Sequence, residues 1–124
     1  MCIRDSAVGD ALGVPFEFCT SDQMKQYPAK EMIGFRRYNV PPGTWSDDSS
    51  LTFCLAESLV KGYDLADMAN NFIQWRDANF WTARGIVFDI GITTSDAISS
   101  LKKLLKNKEY EELTQLKYLS LIHI

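Results

Sequence analysis

Small or apolar residues recur at Leu51, Cys54, Leu55, Ser58 and Leu59, the i, i+3, i+4, i+7, i+8 spacing of one helical face. Gly62 follows as a stop, so the spacing predicts a helix that starts after Ser46 and ends near residue 61. Asp64 stands where an N-cap belongs, and Leu65, Met68, Phe72 and Trp75 then line one face of a second helix. A third begins near Thr94 or Ser95, with Ala97, Ile98, Leu101, Leu104 and Leu105 apolar, and residues 109–118 are expected to add a fourth. Earlier in the chain, AVGDALG (7–13) reads as a short, close-packed helix ended by Gly13 and Pro15, and Ser21-Asp22-Gln23-Met24 as a cap and a short helix.

Between these elements lie two stretches without helical period. Residues 28–45 carry Pro28, Gly34, Pro41, Pro42 and Gly43, a loop long enough to invite a functional reading. Residues 79–94, NFWTARGIVFDIGITT, read as a structured loop or a brief strand. The pattern predicts an all-α fold, a single domain of 124 residues without repeats or linkers. The ends, MCIRDS and LSLIHI, resemble translated adapter sequence, so the functional reading rests on residues 7–118 and the chain is expected to be a partial domain.

Composition narrows the chemistry by what it lacks. The only histidine is His123, which leaves a Ser-His-Asp triad, a Cys-His pair and a His-rich zinc site without support. Cys2, Cys19 and Cys54 are odd in number and form no C-x-x-C, so a reducing cytoplasm is expected, with Cys54 a small core residue. A net charge of −3 argues against a sequence-independent nucleic-acid surface. No apolar run is long enough to span a bilayer, so no membrane partner is expected. Lys102, Lys103, Lys106 and Lys108 read as a solvated helix face, with Glu109, Glu111 and Glu112 beyond.

Candidate chemistry concentrates in PPGTWSDDSSLTF, where Asp47 and Asp48 are adjacent. Ser46 can cap the helix, with both acids favoured by the dipole of its first turn. That accounts for one acid well and for two acceptably. It does not account for a Pro-Pro-Gly loop and a tryptophan delivering them. The alternative is a metal site. Ser46, Asp47 and Asp48 are hard oxygen donors suited to Mg²⁺, Mn²⁺ or Ca²⁺, and Glu17, Asp10 and Asp89 are candidates to complete the shell. The prenyl-diphosphate pattern D-D-x-x-D is not met, because Leu51 stands where its last Asp would, three residues after Asp48.

Three segments, GDALGVPFEF (9–18), PGTWSDDSSLTFCLAESL (42–59) and FDIGITTSDAI (88–98), occur in an order and spacing that resemble the N-terminal part of the ADP-ribosylglycohydrolase family. The family includes the dinitrogenase reductase-activating glycohydrolases, and the resemblance covers roughly residues 7–105. It implies an all-α orthogonal helical bundle, a binuclear Mg²⁺ or Mn²⁺ site, and cleavage of the ribose C1″ bond of an ADP-ribosylated protein or ADP-ribose conjugate. It implies Ser46, Asp47 and Asp48 as metal ligands, and Glu17, Asp47 and Asp48 as participants in catalysis. Asp89, Gly91 and Thr93 would lie at the substrate cleft. The family's later Asp-x-Asp ligand motif and Gly-Asn-Gly loop are not in this sequence, so the expectation is an N-terminal fragment, inactive alone. Two other readings stay open: a non-catalytic ADP-ribose-binding homologue, and an unrelated Mg²⁺-dependent phosphoester hydrolase.

Overall fold

The computed structural model describes residues 2–107. The expected fourth helix at 109–118 lies outside them. Among the described residues five α-helices follow in order: α1 (Ile3–Gly13), α2 (Ser21–Gln26), α3 (Asp47–Lys61), α4 (Leu65–Ala78) and α5 (Ile92–Asn107), with one 3₁₀ turn at Val14–Phe16. No strand occurs among the described residues, and the fold is all-α as expected.

Local chemistry sets most of the boundaries. The Asp64 carboxylate accepts from the backbone N–H groups of Ala66 and Asp67, which makes it the N-cap of α4. Gly62 ends α3 at φ 131°, a value open to glycine and rare for other residues. Asn79 ends α4 in the left-handed region. At α2 the cap is Thr20 rather than Ser21: its hydroxyl accepts from Gln23 N, and the Gln23 side chain accepts from Thr20 N. Helix α1 reaches back to Ile3, with Cys2 N donating to the Asp5 carboxylate.

The core lies where α3, α4 and α5 meet. Leu51, Cys54, Phe72, Ile73, Trp75 and Ile98 are buried together, flanked by Leu55, Phe80, Val87, Ile90, Leu101 and Leu105. α4 packs against both α3 and α5, and α1 packs against α3. Burial pushes the Cys54 thiol up to about 12, consistent with an inert core residue. One position on the predicted apolar face differs. Leu59 is about half exposed because the buried face of α3 turns away from it after Ser58. Trp81 is partly exposed, and its Nε1–H donates to Glu57.

The stretch at 79–91 is a structured loop, and α5 begins two to three residues earlier than the apolar pattern predicts. The β-branched run Ile92-Thr93-Thr94 forms its first turn, a place where intrinsic propensity is easily overridden. Lys102 on the outer face of α5 pairs with Asp77 of α4, as a solvated helix face allows. No helix of the described residues is long and apolar enough to cross a membrane.

Candidate active site

The start of α3 is built from three directions. Ser46 is the N-cap, and its Oγ accepts from Asp48 N at 3.3 Å. From α1, the Asp10 carboxylate accepts three hydrogen bonds on one oxygen: from Ser46 N at 2.9 Å, Ser49 N at 3.2 Å and the Ser49 hydroxyl at 2.5 Å. Ser50 donates back to the Ser46 carbonyl. Ser46, Ser49 and Ser50 are all buried, so this small-residue turn is packed tightly against α1. Asp47 remains half-buried and Asp48 exposed.

The approach loop is fixed by a residue that the sequence alone did not single out. Arg84 donates through Nε to the Thr44 hydroxyl at 3.1 Å and through a terminal nitrogen to the Pro42 carbonyl at 3.0 Å. Thr44, fully buried, donates to Pro41 O. Trp45 packs edge-on against Phe53, and its indole N–H reaches the Trp81 carbonyl at 3.4 Å. Beside them lies a small open cleft that includes Trp45, Ser46, Asp47, Trp75 and Phe88 in its wall.

Around this turn the acids gather. Asp47 is pushed up to about 6, mostly by burial and next by Asp48, with Asp89 and Asp10 adding to it. Asp48 is raised by burial and then by Asp10 and Asp89. Glu17 is raised by burial and by Asp89 and Asp10, against the lowering effect of a hydrogen bond from Tyr38. Asp10 and Asp89 therefore link the Asp47–Asp48 pair to Glu17. No lysine or arginine among the described residues forms an ion pair with any of these five carboxylates. Asp89 is exposed and holds a left-handed backbone at φ 54°. Gly91 and Thr93 are exposed at the entry to α5, and no side-chain hydrogen bond among the described residues joins them to the acids.

Every donor at this place is an oxygen, so the donor set fits a hard divalent cation. Among the described residues no three acidic, histidine or cysteine side chains stand at ligand spacing, so a full shell would draw on water and on further donors.

The ADP-ribosylglycohydrolase family model matches residues 2–115. The chain belongs to the ADP-ribosylglycohydrolase family. It is 32% identical over 99 residues to the ADP-ribosylarginine hydrolase Tri1 of Serratia proteamaculans, covering 78% of this chain and 26% of that protein. Against Tri1 of Pseudomonas putida it is 33% identical over 94 residues, 74% of this chain and 24% of the relative. Against the ADP-ribosyl-[dinitrogen reductase] glycohydrolase of Rhodospirillum rubrum it is 37% identical over 73 residues, 56% of this chain and 25% of the relative. The chain thus spans about a quarter of the length of the curated relatives it matches. The match takes in all three segments that carry the resemblance, and with them Glu17, Ser46, Asp47, Asp48 and Asp89.

Proposed function

We propose that this chain contributes the N-terminal part of the active site of a longer Mg²⁺- or Mn²⁺-dependent ADP-ribosylglycohydrolase, which hydrolyses the ribose C1″ bond of an ADP-ribosylated protein. The observation that carries the reading is the gathering of Glu17, Asp47 and Asp48, whose carboxyls are raised, with Asp10 and Asp89 acting on them and no basic ion-pair partner for any of the five among the described residues. Carboxylates assembled at an energetic cost imply a cation or a cationic transition state to repay it. The names of the relatives support an ADP-ribosyl substrate, and two of them support an arginine linkage.

Ser46, Asp47 and Asp48 would hold the metal. A bound metal would supply Lewis-acid polarisation of oxygens and a more acidic water. The remaining work falls to side chains. Cleavage at C1″ passes through an oxocarbenium-like state, and the negative field of Asp47, Asp48 and Asp89 opposes the positive charge that develops there. Glu17, with its carboxyl raised by burial, is suited to take a proton from the attacking water and return it to the leaving group. The Asp10 contacts fix α3, so the Asp47–Asp48 pair is presented without a search through conformers.

The test is release of ADP-ribose from an ADP-ribosylated arginine peptide by the longer protein, with Mn²⁺ and with chelator. Asp47→Ala and Asp48→Ala should each lower turnover by at least about 100-fold. Full activity in both variants sinks the proposal, and binding of ADP-ribose without turnover by the wild type favours the non-catalytic reading.

A further inference from the structure

Tyr38 appears in none of the three motif segments, yet it touches two of them. Its hydroxyl donates a short hydrogen bond to Glu17 Oε2, across 21 residues of sequence. Its ring packs on Phe88 with centroids 5.2 Å apart. Asp89, the next residue, acts electrostatically on both Tyr38 and Glu17. The segments on either side of the hydrogen bond are fastened as well. The Arg36 guanidinium lies over the Phe16 ring at 5.0 Å, and that of Arg37 over the Phe18 ring at 4.9 Å. Residues 16–18 and 36–38 are therefore laced together by three side-chain pairs, with Glu17 in the middle.

The loop that carries Tyr38 is itself closed. Phe35 N donates to Val40 O at 2.8 Å, and Gly34 presses against the backbone of Val40, Pro41 and Pro42. Phe18 holds a left-handed backbone at φ 61°, so the chain leaves Glu17 at an angle that an unfastened segment would not keep. A carboxylate on a short turn has several rotamers, and only one points at a given bond. Tyr38 removes that freedom from one side, and leaves the second oxygen of Glu17 to act.

We propose that Tyr38 is a positioning residue for the ADP-ribosyl hydrolysis, aiming the Glu17 carboxylate by hydrogen bonding and tying it to the Phe88–Asp89 segment. The inference rests on the proposed function and on Glu17 being the proton-transfer group.

The test is a double-mutant cycle in the longer protein with an ADP-ribosylated arginine peptide and Mn²⁺, using Tyr38→Phe, Glu17→Gln and both together. Removing one hydroxyl leaves the ring on Phe88 in place. The expected result is a fall in kcat of roughly 10-fold or more for Tyr38→Phe with KM changed less than about twofold, and no further fall when Tyr38→Phe is added to Glu17→Gln. Unchanged kcat in Tyr38→Phe overturns the inference. An equal fall in both backgrounds also overturns it, because a structural role would act whether or not Glu17 is an acid, and this comparison holds whatever happens to the melting temperature. If the wild type releases no ADP-ribose, the functional reading fails first, and the inference with it.

Discussion

Asp10→Ala should destabilise the chain more than any other single truncation at the start of α3. The carboxylate accepts from Ser46 N, Ser49 N and the Ser49 hydroxyl on one oxygen. A hydrogen bond to a charged group is worth about 1.5–3 kcal/mol net, but three donors sharing one acceptor do not add. Alanine leaves two backbone N–H groups at the buried residues Ser46 and Ser49 without that acceptor, at about 1–3 kcal/mol each. Against this, removing the Asp10 charge relieves repulsion on Asp47 and Asp48. The balance is a loss of about 3 kcal/mol, a fall in melting temperature of roughly 9–18 °C for a chain of this length. Asp10→Asn keeps one acceptor and should lose less, about 1–2 kcal/mol. Ser46→Ala removes only the cap to Asp48 N, about 1 kcal/mol. The assay is urea unfolding at pH 7 with chelator, followed by far-UV circular dichroism. An Asp10→Ala variant within about 0.5 kcal/mol of the wild type refutes the reasoning, and so does a larger loss for Ser46→Ala.

Asp47→Asn gives a pH-dependent gain. The folded carboxyl sits near 6 and its ordinary value is 3.8, so the folded state holds the proton longer than the unfolded one. Wild-type stability should therefore fall as pH rises from about 4 to about 6, and Asp47→Asn should flatten that fall, ending about 1–2 kcal/mol more stable at pH 7 in chelator once solvent screening of the half-buried carboxyl is allowed for. Parallel pH profiles for the two proteins would refute this. Gly34→Ala tests the loop that carries Tyr38: an added Cβ would stand 2.5 Å from Pro42 N and 2.6 Å from Val40 O, both backbone atoms with little room to yield. It should cost at least about 2 kcal/mol in the same unfolding assay, and a variant indistinguishable from the wild type would mean that the loop is not closed as described.

The parts of the fold that depend on neighbours in sequence were legible without a structure. The α3 and α4 faces follow from apolar period, and the Gly62 stop and the Asp64 cap follow from short-range hydrogen bonding. The start of α5 was hidden because Ile92-Thr93-Thr94 reads as strand-forming, and only packing of α5 on α4 decides otherwise. At the site, the acids Asp47, Asp48, Glu17 and Asp89 were legible because they sit inside recognisable segments. Tyr38 and Arg84 were not. Tyr38 acts through partners 21 and 50 residues away, and Arg84 holds Thr44 and Pro42 from 40 and 42 residues away. Neither belongs to a periodic pattern, and nothing local marks a loop residue for such a task.

The two sequence readings of Asp47 and Asp48, as helix-dipole acids and as metal ligands, turn out to answer different questions. Acids that stabilise a helix start through its dipole should have lowered pKa values, because the folded state favours their charge. Asp47 is instead raised by burial and then by Asp48, and Asp48 by burial and then by Asp10 and Asp89. The capping work is done by Ser46 at the N-cap and by Asp10 from α1, which together satisfy the N–H groups of Ser46, Asp48 and Ser49. Asp47 and Asp48 are thus acids that α3 carries at a cost rather than acids that hold α3 together. A pair kept at a cost, on a turn that another helix locks in place, is the arrangement expected of groups whose compensating charge arrives with a ligand.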